Sequence, residues 1–223
     1  MNQLLWEFYG PHVQSGPFKD MLISQKVAQS TNNEGNRVGI RLTGNYEIEL
    51  HPAINKAISR NPHTIVNIGS AEGYYAIGLA LALPNAKVRA IDIDDECQII
   101  CTTNAEKNHC ADRVTTCKSF FPKETDLMII DCESCELDLL SPSLIKNLKN
   151  CDLIIECHDF MIEGISQTLK DRFLSTHDIE VIAPNYEIIH SVLLPSGTNL
   201  EIQDERPENM SWLVCWSREK SLA

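Results

Sequence analysis

No stretch of the chain approaches the ~18 to 20 continuous apolar residues that a membrane-crossing helix needs. Its first ten residues, Met1 to Gly10, lack the basic start and long apolar run of an export signal. A soluble, cytoplasmic protein without a membrane partner is the expectation. No cluster of Lys and Arg occurs either, and 19 basic residues against 31 acidic ones leave a net charge of −12. Such a surface repels phosphate backbones, so nucleic acid and polyanionic lipid are not expected partners. Repeats, low-complexity tracts and charged tails are all missing, so the 223 residues read as one folded unit, long enough to bury ~70% of the surface the unfolded chain exposes. Cysteine is the one plentiful oddity. Nine are present, an odd number at irregular spacings, and no second C-x-x-C or C-x-x-H pair completes a set of four zinc ligands. Nine reduced thiols and no structural zinc are therefore expected.

What is present is an alternation of two periodicities. Thr64 to Gly69 is a short β-branched apolar run stopped by glycine, which predicts a buried strand, and Glu72 to Leu83, rich in Ala and Leu before Pro84, predicts a helix. Val88–Ile93, Arg113–Cys117, Leu127–Ile130 and Leu153–Cys157 predict further strands. Asp95–His109, a segment from about Glu136, and Ile162–Phe173 predict the helices between them. The expected fold is an α/β Rossmann-like, seven-stranded, mostly parallel sheet with helices on both faces. Ile179–Ala183 and Trp212–Trp216, joined by a polar connection holding Pro195, Gly197 and Pro207, predict an antiparallel edge hairpin. Residues 1–55, with a loop-like Ser30 to Asn36, read as a cap on the substrate side of a cofactor-binding domain spanning 56–223.

The turn after the first strand carries the chemistry. Gly69 and Gly73 stand where a buried strand becomes a helix, so backbone can approach a ligand and free N–H groups face it. Asp92, nineteen residues beyond Gly73 and near the end of the second strand, can accept both hydroxyls of a ribose. A dinucleotide would call for G-x-G-x-x-G, whereas Gly69-Ser70-Ala71-Glu72-Gly73 is G-x-x-x-G with an acid beside the loop. S-adenosylmethionine carries a sulfonium cation and no phosphate, so it suits this loop better than NAD.

Four segments resemble the class I S-adenosylmethionine-dependent methyltransferases, and within them the FkbM-like group: Val66 to Tyr75, Val88 to Asp92, Met128 to Glu136 and Ile154 to His158. Asp131-Cys132-Glu133-Ser134-Cys135-Glu136 is similar to that family's D-x-E-G-x-E, with Ser134 in place of glycine, and Asn67 stands where the family has an acid. The resemblance implies a methyltransferase of the 2.1.1 class acting by O-methylation on a small-molecule, sugar or glycan-type acceptor. It also implies that Asn67, Gly69, Ser70, Ala71, Glu72, Gly73, Tyr74, Asp92 and Asp131 surround the cofactor, with Asp131 and Glu133 beside methyl donor and acceptor.

Methyl transfer to a hydroxyl needs in-line positioning, exclusion of water and removal of one proton. His158, Glu133 and Asp131 are the candidates at the strand ends, with Glu156 and Asp159 on the same rim. His158 is the first choice of base because an unperturbed imidazole titrates near ~6.5. The plainer readings are a helix cap for Glu133 and a loop contact for His158. Asp131, Glu133 and His158 also offer an oxygen-rich set for Mg2+, although no self-contained metal loop exists and a metal-free site is the primary expectation. Cys132 to Cys135 is formally C-x-x-C, which leaves open redox chemistry, half a zinc site, or ordinary variation within the motif. Cys97 and Cys101 read as small core residues, and Tyr46, Trp212 and Trp216 as core or pocket wall. A nicotinamide-dependent oxidoreductase and a catalytically silent cofactor-binding protein remain the alternatives.

Overall fold

The computed structural model describes residues 2–24, 33–119, 124–184, 189–203 and 210–222. Its α-helices are α1 (Asn2–Tyr9), α2 (Asn33–Thr43), α3 (His51–Ser59), α4 (Tyr74–Ala82), α5 (Asp95–Lys107), α6 (Glu136–Leu139), α7 (Pro142–Ile145) and α8 (Ile165–Phe173). The strands are β1 (Thr64–Ile68), β2 (Lys87–Ile91), β3 (Val114–Cys117), β4 (Leu127–Ile130), β5 (Asp152–Cys157), β6 (His177–Ile182), β7 (Ile189–Leu193), β8 (Asn199–Gln203) and β9 (Ser211–Ser217). Seven of them form one sheet in the order β3-β2-β1-β4-β5-β9-β6. Pairing is parallel from β3 through β5, while β9 runs antiparallel to both β5 and β6. The α/β sheet expected from sequence is the one observed.

Alternation along the central strands divides the core between two faces. Ile65, Ile129, Ile154, Trp212 and Val214 bury one face together with α4, α5 and the N-terminal segment. Val66, Met128, Ile155, Leu213 and Cys215 bury the other against Ile165, Leu169 and Phe173 of α8. Strands covered on both sides need no polar alternation, which is why β4 is an unbroken apolar run and β5 carries Leu153 to Ile155 between Asp152 and Glu156. Each aliphatic side chain so buried contributes about 1.5–3 kcal/mol. A helix apolar on all sides must also be buried, and α4 accordingly hides Tyr74, Ala76, Ile77, Leu79 and Ala80. Asp94 caps α5 by accepting from the Glu96 N–H at 2.8 Å.

Several expectations are corrected. The expected antiparallel pair does close one edge of the sheet, with β6 outermost and β9 between it and β5, and the corrections lie elsewhere. The polar connection contains a hairpin, β7 with β8, paired from Ile189 with Gln203 to Leu193 with Asn199. Asn33 to Asn36, read as loop, open α2, while Ser30 to Asn32 lie outside the described residues, as does Pro207. The N-terminal segment contributes Leu5, Val13, Phe18, Val38, Leu42, Tyr46 and Leu50 to the same apolar cluster as β1 and β9. Among the described residues no helix is long and apolar enough to cross a membrane.

Candidate active site

The loop after β1 is built by close packing. Gly69 has φ +70°, and a Cβ there would lie 1.5 Å from the Asp131 carbonyl oxygen, so only glycine lets the β1 and β4 ends meet. Gly73 has φ +92° with Cys101 Sγ and Ile77 behind it, giving Cys101 a core role beneath the loop. The Gly69 and Ser70 N–H groups donate to the Ile91 carbonyl at 2.9 and 3.0 Å. Asp92 Oδ2 accepts from the Ala71 N–H at 2.8 Å and its Oδ1 from Asp94 N–H at 2.9 Å. That carboxylate thus shapes the loop before any ligand arrives. Asn67 Oδ1 and Ser70 Oγ are buried here without a hydrogen-bond partner. Buried polar atoms are normally satisfied, so this pair fits a site that a polar cofactor completes.

Two loop residues behave otherwise than their positions suggest. Glu72 is buried against Arg41 of α2 at 2.7 Å, so its charge is balanced internally and the argument from a free acid against a pyrophosphate loses its force. Tyr74 is 7% exposed and packs edge-on against Phe18, Tyr46 and Tyr75. It supports the loop from the core side. Tyr46, Trp212 and Trp216 are likewise buried core, and the Tyr75 hydroxyl donates to Glu47.

Asp131, Glu133, Glu156 and His158 do converge at the ends of β4 and β5. His158 is fully buried, and its Nδ1 lies 2.6 Å from Glu136 Oε1. Its Nε2, without a hydrogen-bond partner, faces Asp131 Oδ1 at 3.5 Å, Glu133 Oε2 at 3.5 Å and Glu156 Oε2 at 3.8 Å. Burial alone would lower the pKa of this imidazole. The Glu136 hydrogen bond and the charges of Glu156, Glu136 and Glu133 outweigh it and hold the value above the ordinary one. Burial first, then the charge and hydrogen bond of Glu156, keep the Asp131 carboxyl well above the usual carboxylate range. Access separates the two candidates: His158 is enclosed, whereas 28% of the Asp131 side chain is exposed at the end of β4.

Glu133 is 75% exposed and φ +52°, so it lies over His158 from outside and does not cap a helix conventionally. Asp159 is the helix-start residue instead, accepting from the Gly164 and Ser166 N–H groups at 3.1 and 3.3 Å. Asp131, Glu156 and His158 bring ligand atoms within 4.8 Å of one another, so Glu156 takes the place given to Glu133 in the set able to hold a divalent ion. Sequence reasoning missed the roles of Glu136, Arg41 and Glu47. Only Glu136 left a signal, as the last acid of the D-x-E-x-x-E segment.

The cysteine expectation also fails. Cys132 and Cys135 are joined by a disulfide, and the other seven cysteines form none. The turn between them sets the Cα atoms 5.5 Å apart, inside the range a disulfide bridges. No protein-family model matches the sequence, and no curated protein matches it either. Solved structures do resemble it in fold. A precorrin-6y C5,15-methyltransferase from Geobacter metallireducens aligns over 75% of this chain and 87% of its own with 12% identity and a TM-score of 0.51. A precorrin 8w decarboxylase from Methanobacterium thermoautotrophicum aligns over 77% and 89% with 18% identity and a TM-score of 0.51. The C-terminal domain of a precorrin-6Y C5,15-methyltransferase from Rhodobacter capsulatus gives 75% and 89%, 11% and 0.50. At such identities the likeness establishes the Rossmann-like methyltransferase fold.

Proposed function

We propose that the chain is an S-adenosylmethionine-dependent methyltransferase that methylates a hydroxyl on a small-molecule, sugar or glycan-type acceptor. The observation that carries this reading is the Asp131 carboxyl, held well above the usual range at the mouth of β4 and packed through its backbone against Gly69. The FkbM-like segments support oxygen as the accepting atom. S-adenosylmethionine supplies an electrophilic methyl group on a sulfonium. Gly69 to Gly73 and Asp92 bind and orient it, Asp92 toward the ribose hydroxyls, while Asn67 and Ser70 offer polar atoms that are otherwise unmatched. Asp131 accepts the hydroxyl proton as the oxygen becomes nucleophilic. His158 balances the acids around it and fixes where Asp131 points, and Glu136 orients the His158 ring.

A second reading draws on the 4.8 Å grouping of Asp131, Glu156 and His158, which would hold a divalent ion such as Mg2+. An ion there would acidify the acceptor hydroxyl. Calorimetry with S-adenosylhomocysteine and NAD, followed by a screen of hydroxylated compounds for transferred labelled methyl with and without EDTA, tests the proposal. Binding of S-adenosylhomocysteine and EDTA-insensitive transfer support the first reading, and transfer abolished by EDTA supports the second. Binding of NAD in its place would overturn both.

A further inference from the structure

The outer side of the rim is formed by one four-residue ring, Cys132 to Cys135. Cys132 is half-buried and Cys135 exposed, and between them Glu133 and Ser134 are consecutive non-glycine residues with φ +52° and +83°. Left-handed backbone is unfavourable for residues with a Cβ, so an open chain at this point favours other conformations. The ring holds both residues where they are. Two of its residues reach the surroundings of His158: Glu133 Oε2 stands 3.5 Å from Nε2, and the Ser134 N–H donates at 3.3 Å to the Glu136 oxygen that lies 2.6 Å from Nδ1.

Five of the other seven thiols are chemically quiet. Burial pushes Cys101 and Cys215 up to about 12 and raises Cys110, Cys151 and Cys157 as well, so little thiolate forms at neutral pH. Cys97 and Cys117 are half-buried and unbridged. One disulfide closing a two-residue loop among seven unbridged thiols is not a scaffold of the kind that stabilises secreted domains. In a reducing compartment such a bond is a transient or sensing one.

We propose that Cys132 and Cys135 form a reversible thiol–disulfide site, reduced by a dithiol partner, whose oxidised form holds the acid rim in its working geometry. A thiolate of the partner attacks the exposed Cys135 Sγ, the bond to Cys132 Sγ breaks, and Cys132 leaves as thiolate and takes up a proton. The partner's second thiolate then displaces Cys135, which is protonated in turn. Two electrons and two protons pass to the protein, and the dithiol becomes a disulfide. Freed of the ring, Glu133 and Ser134 relax out of the left-handed region, and the Glu133 contact with His158 and the Ser134 contact with Glu136 shift with them. The effect on turnover rests on the reading of this rim as the methyl-transfer centre.

The full chain equilibrated with oxidised or reduced dithiothreitol, alkylated under native conditions and weighed, should show Cys132 and Cys135 protected in the first state and modified in the second. The imidazole NMR signal of His158, assigned by its loss in His158→Gln, should move between the two states. Turnover should fall about 10- to 100-fold on reduction, with S-adenosylhomocysteine affinity unchanged. A Cys132→Ser, Cys135→Ser double variant should sit at the reduced level under both conditions. If the His158 signal moves and no methyl transfer occurs in either state, the switch stands and the methyltransferase reading falls. Alkylation of both cysteines in the oxidised state, or full reduction that moves neither the His158 signal nor turnover, overturns the proposal.

Discussion

β4 and β5 each carry acids at both ends, and the two ends are treated in opposite ways. Where the strands begin, Asp126 Oδ2 accepts from the His63 and Thr64 N–H groups at 2.8 and 2.9 Å. Asp152, buried, accepts from Arg60 at 2.8 Å and from the Ser217 N–H at 2.9 Å, with Lys220 Nζ at 3.6 Å. Where the same strands finish, Asp131, Glu156, Glu133 and Glu136 share one histidine, and Asp131 Oδ1, Glu136 Oε2 and His158 Nε2 have no hydrogen-bond partner. The first arrangement is what a fold needs to keep acids buried; the second costs stability and is unexplained unless something binds there. The same two strands thus place acids in two different surroundings, one answered by cations and backbone N–H groups and one crowded around a single histidine.

The sharpest way to break the comparison is to neutralise one acid at each end. Asp152→Ala leaves Arg60 and the Ser217 N–H without their carboxylate, and loss of one partner of a buried pair costs about 3–5 kcal/mol. Urea denaturation should show that loss, with S-adenosylhomocysteine affinity kept in the folded fraction. Asp131→Asn should do the reverse, because it removes one of several crowded like charges. Its unfolding midpoint should match or exceed that of the parent chain while turnover falls about 100-fold or more. An Asp131→Asn protein that is both less stable and fully active would assign this acid to structure.

A smaller effect is expected at Asp92, which belongs to neither extreme. Its carboxylate is already engaged by two backbone N–H groups, yet it stands at the end of β2 with capacity left to accept from a ligand. Asp92→Ala should weaken S-adenosylhomocysteine by about 1.5–3 kcal/mol in calorimetry, the worth of a charge-assisted hydrogen bond. Unchanged affinity with the fold intact would place the ribose contact elsewhere.

These residues also mark how far sequence alone reaches. The β1 loop and the strands β1, β4 and β5 were legible because strands buried on both faces carry continuous apolar stretches, and Gly69 and Gly73 punctuate the turn. β7 and β8 were not, since Asn199-Leu200-Glu201-Ile202-Gln203 alternates over only five residues, a run too short to separate a strand from a polar loop. The acids of the rim were legible as letters. Their ranking was not, because the basicity of Asp131 and the enclosure of His158 depend on Glu156 and Glu136 arriving from other elements. Cys132 and Cys135 were visible as C-x-x-C, but whether they bond depends on a turn geometry that the spacing leaves open.

The smallest expected effect concerns the pH dependence of folding. A group whose folded pKa lies above its unfolded value adds stability that is complete below the unfolded pKa and lost as pH rises through the folded one. Both shifted groups of the rim are of this kind, Asp131 starting from about 3.9 and His158 from about 6.5. The rim therefore holds more protons in the native chain than in the unfolded one, and its contribution to stability should decline as pH rises above ~4 and again above ~6.5. Glu136→Gln removes the hydrogen-bonded carboxylate from His158 and lowers its folded pKa, so the second decline should be smaller and end at lower pH. Glu133→Gln should move it in the same direction but less, since that side chain is 75% exposed and solvent screens its charge. The Glu133 effect should also disappear in ~1 M salt, while the Glu136 effect, buried at 2.6 Å from the ring, should largely persist. Urea titrations across pH for the three proteins read both shifts. Equal displacement by the two variants would mean that Glu133 is as sheltered in solution as Glu136, and that the rim is closed from outside as well as from within.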